Sequence, residues 1–479
     1  MPSLAAIRFN AWKQRPRFAC DHQLFLTLCK VVGISGLVLY LLYLSLFLNH
    51  SNSGSTSELI LSPTESDYST NISHLVFGLV SSVKTWKERR PYVEAWWQPN
   101  SMRGYLILDE PPPQELLPWP STSPPFRVSL NYSKLEQESK HVAPNMIRMV
   151  MAIQETFRVG DEGVKWYVMA FDDSILFVDN WVDVLGKYDH NDYTYIGGQS
   201  ETILSNMFFS FDQGFGGAGI ALSYPLAAAM AKDLEGCIKR YPYAHSADFI
   251  VQFCVDEFGI SLTPEKGIHQ IDLRGDISGF LSAHPQARLL SLHHFDYVDP
   301  IFPSMDPIQS TFHLMRAEKV DHSRLLQQTI CYDKTRNWSF SISWGYSVHI
   351  YEQIYSRTML KRPLETFKPW VEKAVPPMFM FNTRWPCETP NVFFFDSIEK
   401  ASNDWILTTY VRSSSPQYPH CPWSGNHFAL HISKIHVFSF TEKLSQVGRS
   451  ECCDVTVHDA GKNIAEVKLR TCKDDEIIA

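Results

Sequence analysis

The feature that most restricts what this chain can become is an unbroken uncharged run of 18 residues, Val31 to Leu48, dominated by Leu, Val, Ile, Phe and Tyr. As a helix rising about 1.5 Å per residue it covers about 27 Å, enough for the hydrocarbon layer of a thin internal membrane. Five basic residues precede it (Arg8, Lys13, Arg15, Arg17 and Lys30) against the single acid Asp21, and none occurs in the twenty residues that follow. Positive charge on one flank predicts a cytosolic N-terminus. A cleaved signal peptide is the competing reading. Its apolar core is ordinarily about 7 to 15 residues and ends on small side chains, whereas this run ends on Phe47-Leu48-Asn49. The expectation is a single-pass type II membrane protein: residues 1–30 as the cytosolic tail, 31–48 as the signal anchor, and everything beyond in the lumen.

That placement agrees with the rest of the composition. Asn71-Ile72-Ser73, Asn131-Tyr132-Ser133 and Asn337-Trp338-Ser339 are N-glycosylation sequons. Of ten cysteines, eight follow the span: Cys237, Cys254, Cys331, Cys387, Cys421, Cys452, Cys453 and Cys472. An even number permits full pairing in an oxidising compartment without specifying it. No spacing among them suggests a zinc site, because the vicinal Cys452-Cys453 lacks the usual ligand separation. The 479 residues are 44% apolar and 13% aromatic, which excludes bulk disorder, and the formal charge of −8 offers no basic field for a nucleic-acid backbone.

Residues 49–70 are rich in Ser, Thr, Asn and Gly and form a stem that cannot bury enough surface to fold. The apolar run His74 to Val80, a charged and aromatic helical stretch from Lys84 to Trp97, and the run Tyr105 to Leu108 then predict a parallel strand–helix–strand unit. Seven prolines between Pro111 and Pro125 mark a loop. Helical spacing resumes over Asn145 to Arg158, and Lys165 to Ala170 reads as another buried strand. Residues 71–328 thus read as an α/β domain around a mostly parallel sheet. From residue 329 to residue 479 the texture changes to short aromatic and β-branched segments (Phe340 to Tyr351, Val392 to Phe395, Trp405 to Val411, Ile435 to Phe440), which predicts a β-rich domain holding six of the eight cysteines after the span. There is no internal repeat.

Four segments carry groups able to do chemistry. Asp172 and Asp173 follow the strand Trp166 to Ala170, where α/β sheets bind ligands and carboxylates can hold Mg²⁺ or Mn²⁺ on a diphosphate. Alone, the pair reads equally as a surface turn. The loop Phe211 to Ser223, with Gly214, Gly216, Gly217 and Gly219, lets backbone approach a ligand closely, and it matches no P-loop or dinucleotide fingerprint. Asp248 opens an amphipathic helix that runs through Phe258, either as a base or as a charge at the helix N-terminus. His293 and His294 fall on a strand, which would point them to opposite faces, one free to ligate a metal while the other packs.

Taken together, Trp166 through Asp173, the Gly216-Gly217-Ala218-Gly219 loop, Tyr188-Asp189 with Tyr195-Ile196-Gly197, Ala283-His284-Pro285 and Leu292 through Asp296 resemble the Fringe-like glycosyltransferases, in particular their plant branch. The resemblance covers about Asn71 to Met305 and extends through Ile330 to Trp338 and Cys452-Cys453 into the β-rich tail of that branch. It implies a GT-A fold, a UDP-sugar donor, a glycan or glycoprotein acceptor, and an inverting transfer of the β-1,3 type. It also implies Mn²⁺ (or Mg²⁺) on the donor phosphates, held by Asp173 and His294. By the same resemblance Asp172, Gly216, Gly217 and Gly219 would border the donor, and a base would deprotonate the acceptor hydroxyl.

Two positions depart from the family pattern. Phe171 replaces the first acid of the family's Asp-Asp-Asp triplet, and Phe249 stands where the second acid of its base motif falls. Catalysis would then rest on Asp248. The alternative is a non-catalytic member that binds sugar nucleotide or glycan, or supports an active paralogous glycosyltransferase as a partner.

Overall fold

In the computed structural model the described residues are 35, 37, 40, 69–371, 378–385, 390–401, 404–413, 428–441, 450–458 and 463–478. Most of the apolar run 31–48, all of the stem before residue 69, and Cys387 and Cys421 therefore lie outside the described residues. Ser35, Leu37 and Tyr40 are helical. Among the described residues no helix is long and apolar enough to cross a membrane.

Residues 68–479 form one compact unit. Its first sheet has seven strands: β1 (Leu75–Val80), β2 (Arg103–Leu108), β3 (Phe126–Val128), β4 (Trp166–Phe171), β6 (Tyr195–Gly197), β7 (Ile220–Ser223) and β8 (Leu262–Pro264). They lie in the order β3-β2-β1-β4-β7-β6-β8. The helix Val83–Trp96 connects β1 to β2, and a crossover of that kind brings the two strands together in parallel. Four of the six pairings are parallel, and β7 runs against both β4 and β6. All six residues of β1 are buried, so its continuous apolar run records a strand covered on both faces. Helices Asn145–Arg158, Tyr224–Arg240 and Ala247–Asp256 pack together on one face. The disulfide Cys237–Cys254 joins the last two.

A three-stranded sheet, β5 (Ser174–Leu176), β11 (Ser291–His293) and β9 (Ile268–Gln270), lies beyond the end of β4. Short β10 (Leu273–Gly275) pairs with β15 (Phe367–Pro369), which carries chain from the C-terminal half back to the first. The third large element is an eight-stranded sheet, built from β12 (Gln328–Asp333), β13 (Trp338–Ser343), β14 (Ser347–Tyr351), β16 (Asn391–Lys400), β17 (Trp405–Arg412), β18 (Lys434–Phe440), β19 (Cys452–His458) and β20 (Ile464–Arg470). Only its β18–β20 pairing is parallel. One continuous apolar core runs from Leu75 to Leu469, so the α/β and β-rich halves share buried surface. The vicinal cysteines diverge: Cys453 bonds Cys331 and Cys452 bonds Cys472, which ties β19 to β12 and to the C-terminal segment.

Candidate functional site

Strand β4 ends at Phe171, and the turn Asp172-Asp173 leads straight into β5. The two carboxylates are buried and differ in their partners. Asp172 accepts hydrogen bonds from Ser81 Oγ (2.6 Å) and Arg89 Nη1 (2.9 Å), with Thr85 Oγ1 at 3.4 Å. Burial, with the neighbouring Asp173 adding to it, still lifts its pKa above the ordinary value. Asp173 meets Arg89 Nη2 through Oδ2 (3.1 Å), while Oδ1 faces His293 Nε2 at 3.1 Å without hydrogen-bond geometry. Burial would raise Asp173 too, but Arg89 and, when its ring is protonated, His293 outweigh it and hold its pKa near 2.

The gap between Asp173 and His293 has an identifiable cause. Gln270 Nε2 donates to Asp272 Oδ1 (3.0 Å), which turns the amide oxygen of Gln270 toward His293 Nδ1 at 2.7 Å. An oxygen acceptor there places the proton of the neutral ring on Nδ1 and leaves a lone pair on Nε2. That lone pair points at a carboxylate oxygen, and among the described residues neither of these buried atoms has a hydrogen-bond partner. In that neutral form two acceptors face each other and repel, and either a proton on Nε2 or a metal cation shared by the two atoms removes the repulsion.

His294 joins them by leaving the strand. β11 ends at His293 and His294 takes a left-handed conformation (φ 63°), so the two rings lie 3.9 Å apart, centre to centre. The opposite-face placement expected for a continuous strand is thereby corrected. One ligand atom from each of Asp173, His293 and His294 falls within 4.8 Å of the others. His294 Nδ1 lies 3.3 Å from Asp272 Oδ1, and its ring stacks on Trp370 (4.6 Å, 13°), delivered by the β10–β15 pairing. Arg274 covers the same indole at 4.9 Å. Asp296 lies 3.5 Å from Arg89. Burial and the nearby Asp173 lift its pKa, and its Oδ1 is buried and unpaired.

The glycine loop closes one side as a short 3₁₀ turn, Gly216–Ala218, pinned where Ser174 and Ser291 donate to the carbonyls of Gly217 and Ala218. A Cβ on Gly217 would come within 2.1 Å of His293 Cε1, so only glycine lets the backbone lie on that ring. Gly219, at φ +100°, has Trp181 beneath it. The Gly216 amide donates to Asp248 Oδ1 (2.9 Å), which places Asp248 one residue along from the contact with His293. Ser246, not Asp248, caps the helix by accepting from the Phe249 amide. Burial raises the pKa of Asp248. Phe249 packs against Phe253 (4.5 Å) and His245 (5.6 Å), and Phe171 sets its edge to His293 at 6.0 Å.

The structure thus brings Asp172, Asp173, His294, Asp248, Gly216 and Gly217 to one place. The sequence reading had no signal for Arg89, which sits in the charged run Lys87 to Arg90. Nor could it weigh Gln270, Asp272 and Trp370, whose roles depend on partners far along the chain. His293 was legible as a histidine, but the strand reading put it on the face opposite His294.

A family model described as "Protein of unknown function, DUF604" matches residues 205–453. No curated protein matches the chain. Among solved structures, the apo form of mouse xyloside xylosyltransferase 1 is similar at 7% identity over 43% of this chain and 85% of that one. Its TM-score of 0.27 is too low for the likeness to carry weight.

Proposed function

We propose, from the premise that the chain belongs to the DUF604 family, that it is a glycosyltransferase of GT-A type that uses a nucleotide-sugar donor and a divalent cation. The observation that carries the reading is the buried pair Asp173 Oδ1 and His293 Nε2, unpaired and 3.1 Å apart, with His294 beside them at the end of β4. The motifs shared with the Fringe-like glycosyltransferases, which run through this same cluster, supply the reaction class.

Asp173, His293 and His294 would hold the cation. One oxygen and two imidazole nitrogens suit Mn²⁺ better than Mg²⁺, which prefers oxygen throughout. When bound, the ion would neutralise charge on a donor diphosphate. Arg89, shared by Asp172, Asp173 and Asp296, fixes these carboxylates and offers positive charge at the mouth of the cluster. In the transfer, an acceptor hydroxyl oxygen attacks the anomeric carbon while the bond from that carbon to the diphosphate oxygen breaks. The diphosphate departs with the electron pair, and the hydroxyl proton passes to Asp248. A pKa raised by burial makes Asp248 the better proton acceptor, and the Gly216 amide orients it. The site would face the lumen of the Golgi, with the apolar run 31–48 as the anchor.

A second reading rests on Phe249 and Asp172. The aromatic side chain of Phe249 fills the family's acid position, and Arg89 and Ser81 already engage Asp172. Both fit a non-catalytic protein that binds a donor or glycan, or that supports an active paralogue. Full-length protein assayed with a UDP-sugar panel decides between them. Asp248→Asn should keep Mn²⁺-dependent donor binding and lower transfer by roughly 10²- to 10⁴-fold. Donor binding without turnover in the wild type, with turnover created by Phe249→Asp, would establish the second reading. Donor binding indifferent to Mn²⁺ and to Asp173→Asn would remove the metal from both.

A further inference from the structure

A cavity of about 500 Å³ lies on the other side of β9 from the metal cluster. Side chains alternate along a strand, so Gln270 reaches His293 while His269 points away, toward Glu201 and His284. The chain after β14 supplies the far wall. Met378 and Met380 are held to Ile203 and Glu201 by backbone hydrogen bonds, which puts Met380 and Phe381 opposite His269 and Phe280.

We propose that this cavity is a second binding site, specific for a neutral saccharide. It does not depend on the transferase reading.

The hydrogen-bonded chain on its wall fixes its charge. His284 Nδ1 lies 2.9 Å from the Pro285 carbonyl, an obligate acceptor, so the proton of His284 is on Nδ1 and its Nε2 accepts. His269 Nε2, 2.9 Å away, must then donate to it. A single proton remains for the 2.6 Å contact between His269 Nδ1 and Glu201 Oε1. Wherever that proton sits, Glu201 and His269 together carry no net charge. Burial keeps His284 neutral. Glu265 is engaged by the Tyr188 hydroxyl at 2.5 Å, and Lys266 and Lys361, which also line the cavity, do so from solvent-exposed positions. The buried part of the lining therefore holds no uncompensated cation for a phosphate or carboxylate, and a charged ligand seated against it would lose its hydration without repayment.

The remaining surface suits a molecule with hydroxyl edges and C–H faces. Phe280 and Phe381, packed on each other with ring centres 5.5 Å apart, line the cavity, and Ile268 and Met380 extend the apolar lining. Glu201 Oε2 has no hydrogen-bond partner among the described residues, and a carboxylate oxygen accepts well from a sugar hydroxyl. The volume falls in the range of about 300 to 1,000 Å³ of small-molecule sites, room for one or two pyranose rings.

The test is saturation-transfer NMR on the full-length protein with cellobiose, xylobiose and galactobiose, in EDTA so that the metal cluster stays unloaded. Glucose 6-phosphate and methyl glucuronide serve as charged controls. At least one neutral disaccharide should show saturation transfer, and the charged sugars none. Met380→Trp, at a side chain 39% exposed and able to fold inward, should abolish the signal. Glu201→Gln should weaken binding about tenfold, the effect of losing one charge-assisted hydrogen bond. The proposal is overturned if no disaccharide gives a signal, if the charged sugars bind equally, or if neither variant alters binding. UDP-sugar binding in Mn²⁺, measured separately, reports on the transferase reading, so either can fail without the other.

Discussion

Two clusters of buried charge lie in this molecule, and they are built to opposite rules. Just before β12, Arg324 is 1% exposed and each of its three guanidinium nitrogens donates a hydrogen bond. Glu451 accepts from Nε and Nη2 at 3.0 Å each, and Asp321 and the Phe440 carbonyl accept from Nη1. Asp321 in turn accepts from Ser323 and from the Arg324 amide. At the end of β4, by contrast, Asp173 Oδ1, His293 Nε2 and Asp296 Oδ1 are buried with no hydrogen-bond partner among the described residues. Desolvating polar groups costs free energy whether or not they find partners. A cluster that recovers this cost internally can serve as structure, and one that does not keeps polar atoms able to take a further partner.

The contrast is most severely tested at Arg324. Arg324→Ala leaves Asp321 and Glu451 buried without their cation and should destabilise the protein by about 3 to 5 kcal/mol. Chemical unfolding of purified protein would show it, and a loss under about 1 kcal/mol would mean the cluster is not structural.

Glu318 sharpens the comparison from six residues before Arg324, because it is buried yet takes no ion pair among the described residues. Burial, helped by Asp179, raises its pKa from 4.5 to about 7. Its contribution is therefore full below the unfolded value of 4.5 and is lost as pH rises through about 7. Glu318→Gln should flatten that stretch of the stability–pH curve and recover up to roughly 3 kcal/mol above pH 7. An unchanged curve would show that Glu318 is solvated.

A smaller effect is expected where the charge is unanswered. Mn²⁺ at 100 times its Kd should stabilise the protein by about 2.7 kcal/mol, read as a rise in Tm. Asp173→Asn or His293→Gln should cancel that rise. If both variants keep it, the ion binds elsewhere and the opposed lone pairs have another explanation.

Much of the fold was legible because it is written in local pattern. The apolar run before Val80, the charged helix after it and the buried run ending at Ala170 became β1, the helix Val83–Trp96 and β4 within a residue or two. Alternation in Trp405 to Val411 became β17, with side chains alternately buried and half-buried. The glycines at 216 and 217 and the acids at 172 and 173 were identifiable by type, since few other side chains can do what those positions require. Where they would meet was another matter. A strand pattern puts His293 and His294 on opposite faces, and only the left-handed turn at His294 reverses this.

By itself, then, the sequence determined the strands, the helices, the placement of two carboxylates at a strand end, and the charge asymmetry flanking the apolar run 31–48. These follow from periodicity and composition over a few residues. Tertiary structure alone decided that Arg89 bridges Asp172, Asp173 and Asp296, and that Gln270 sets the proton on His293. It also decided that Trp370, 76 positions after His294, stacks on that ring. A side chain's protonation and its free lone pair depend on which atoms surround it, and those neighbours come from segments far apart in the chain.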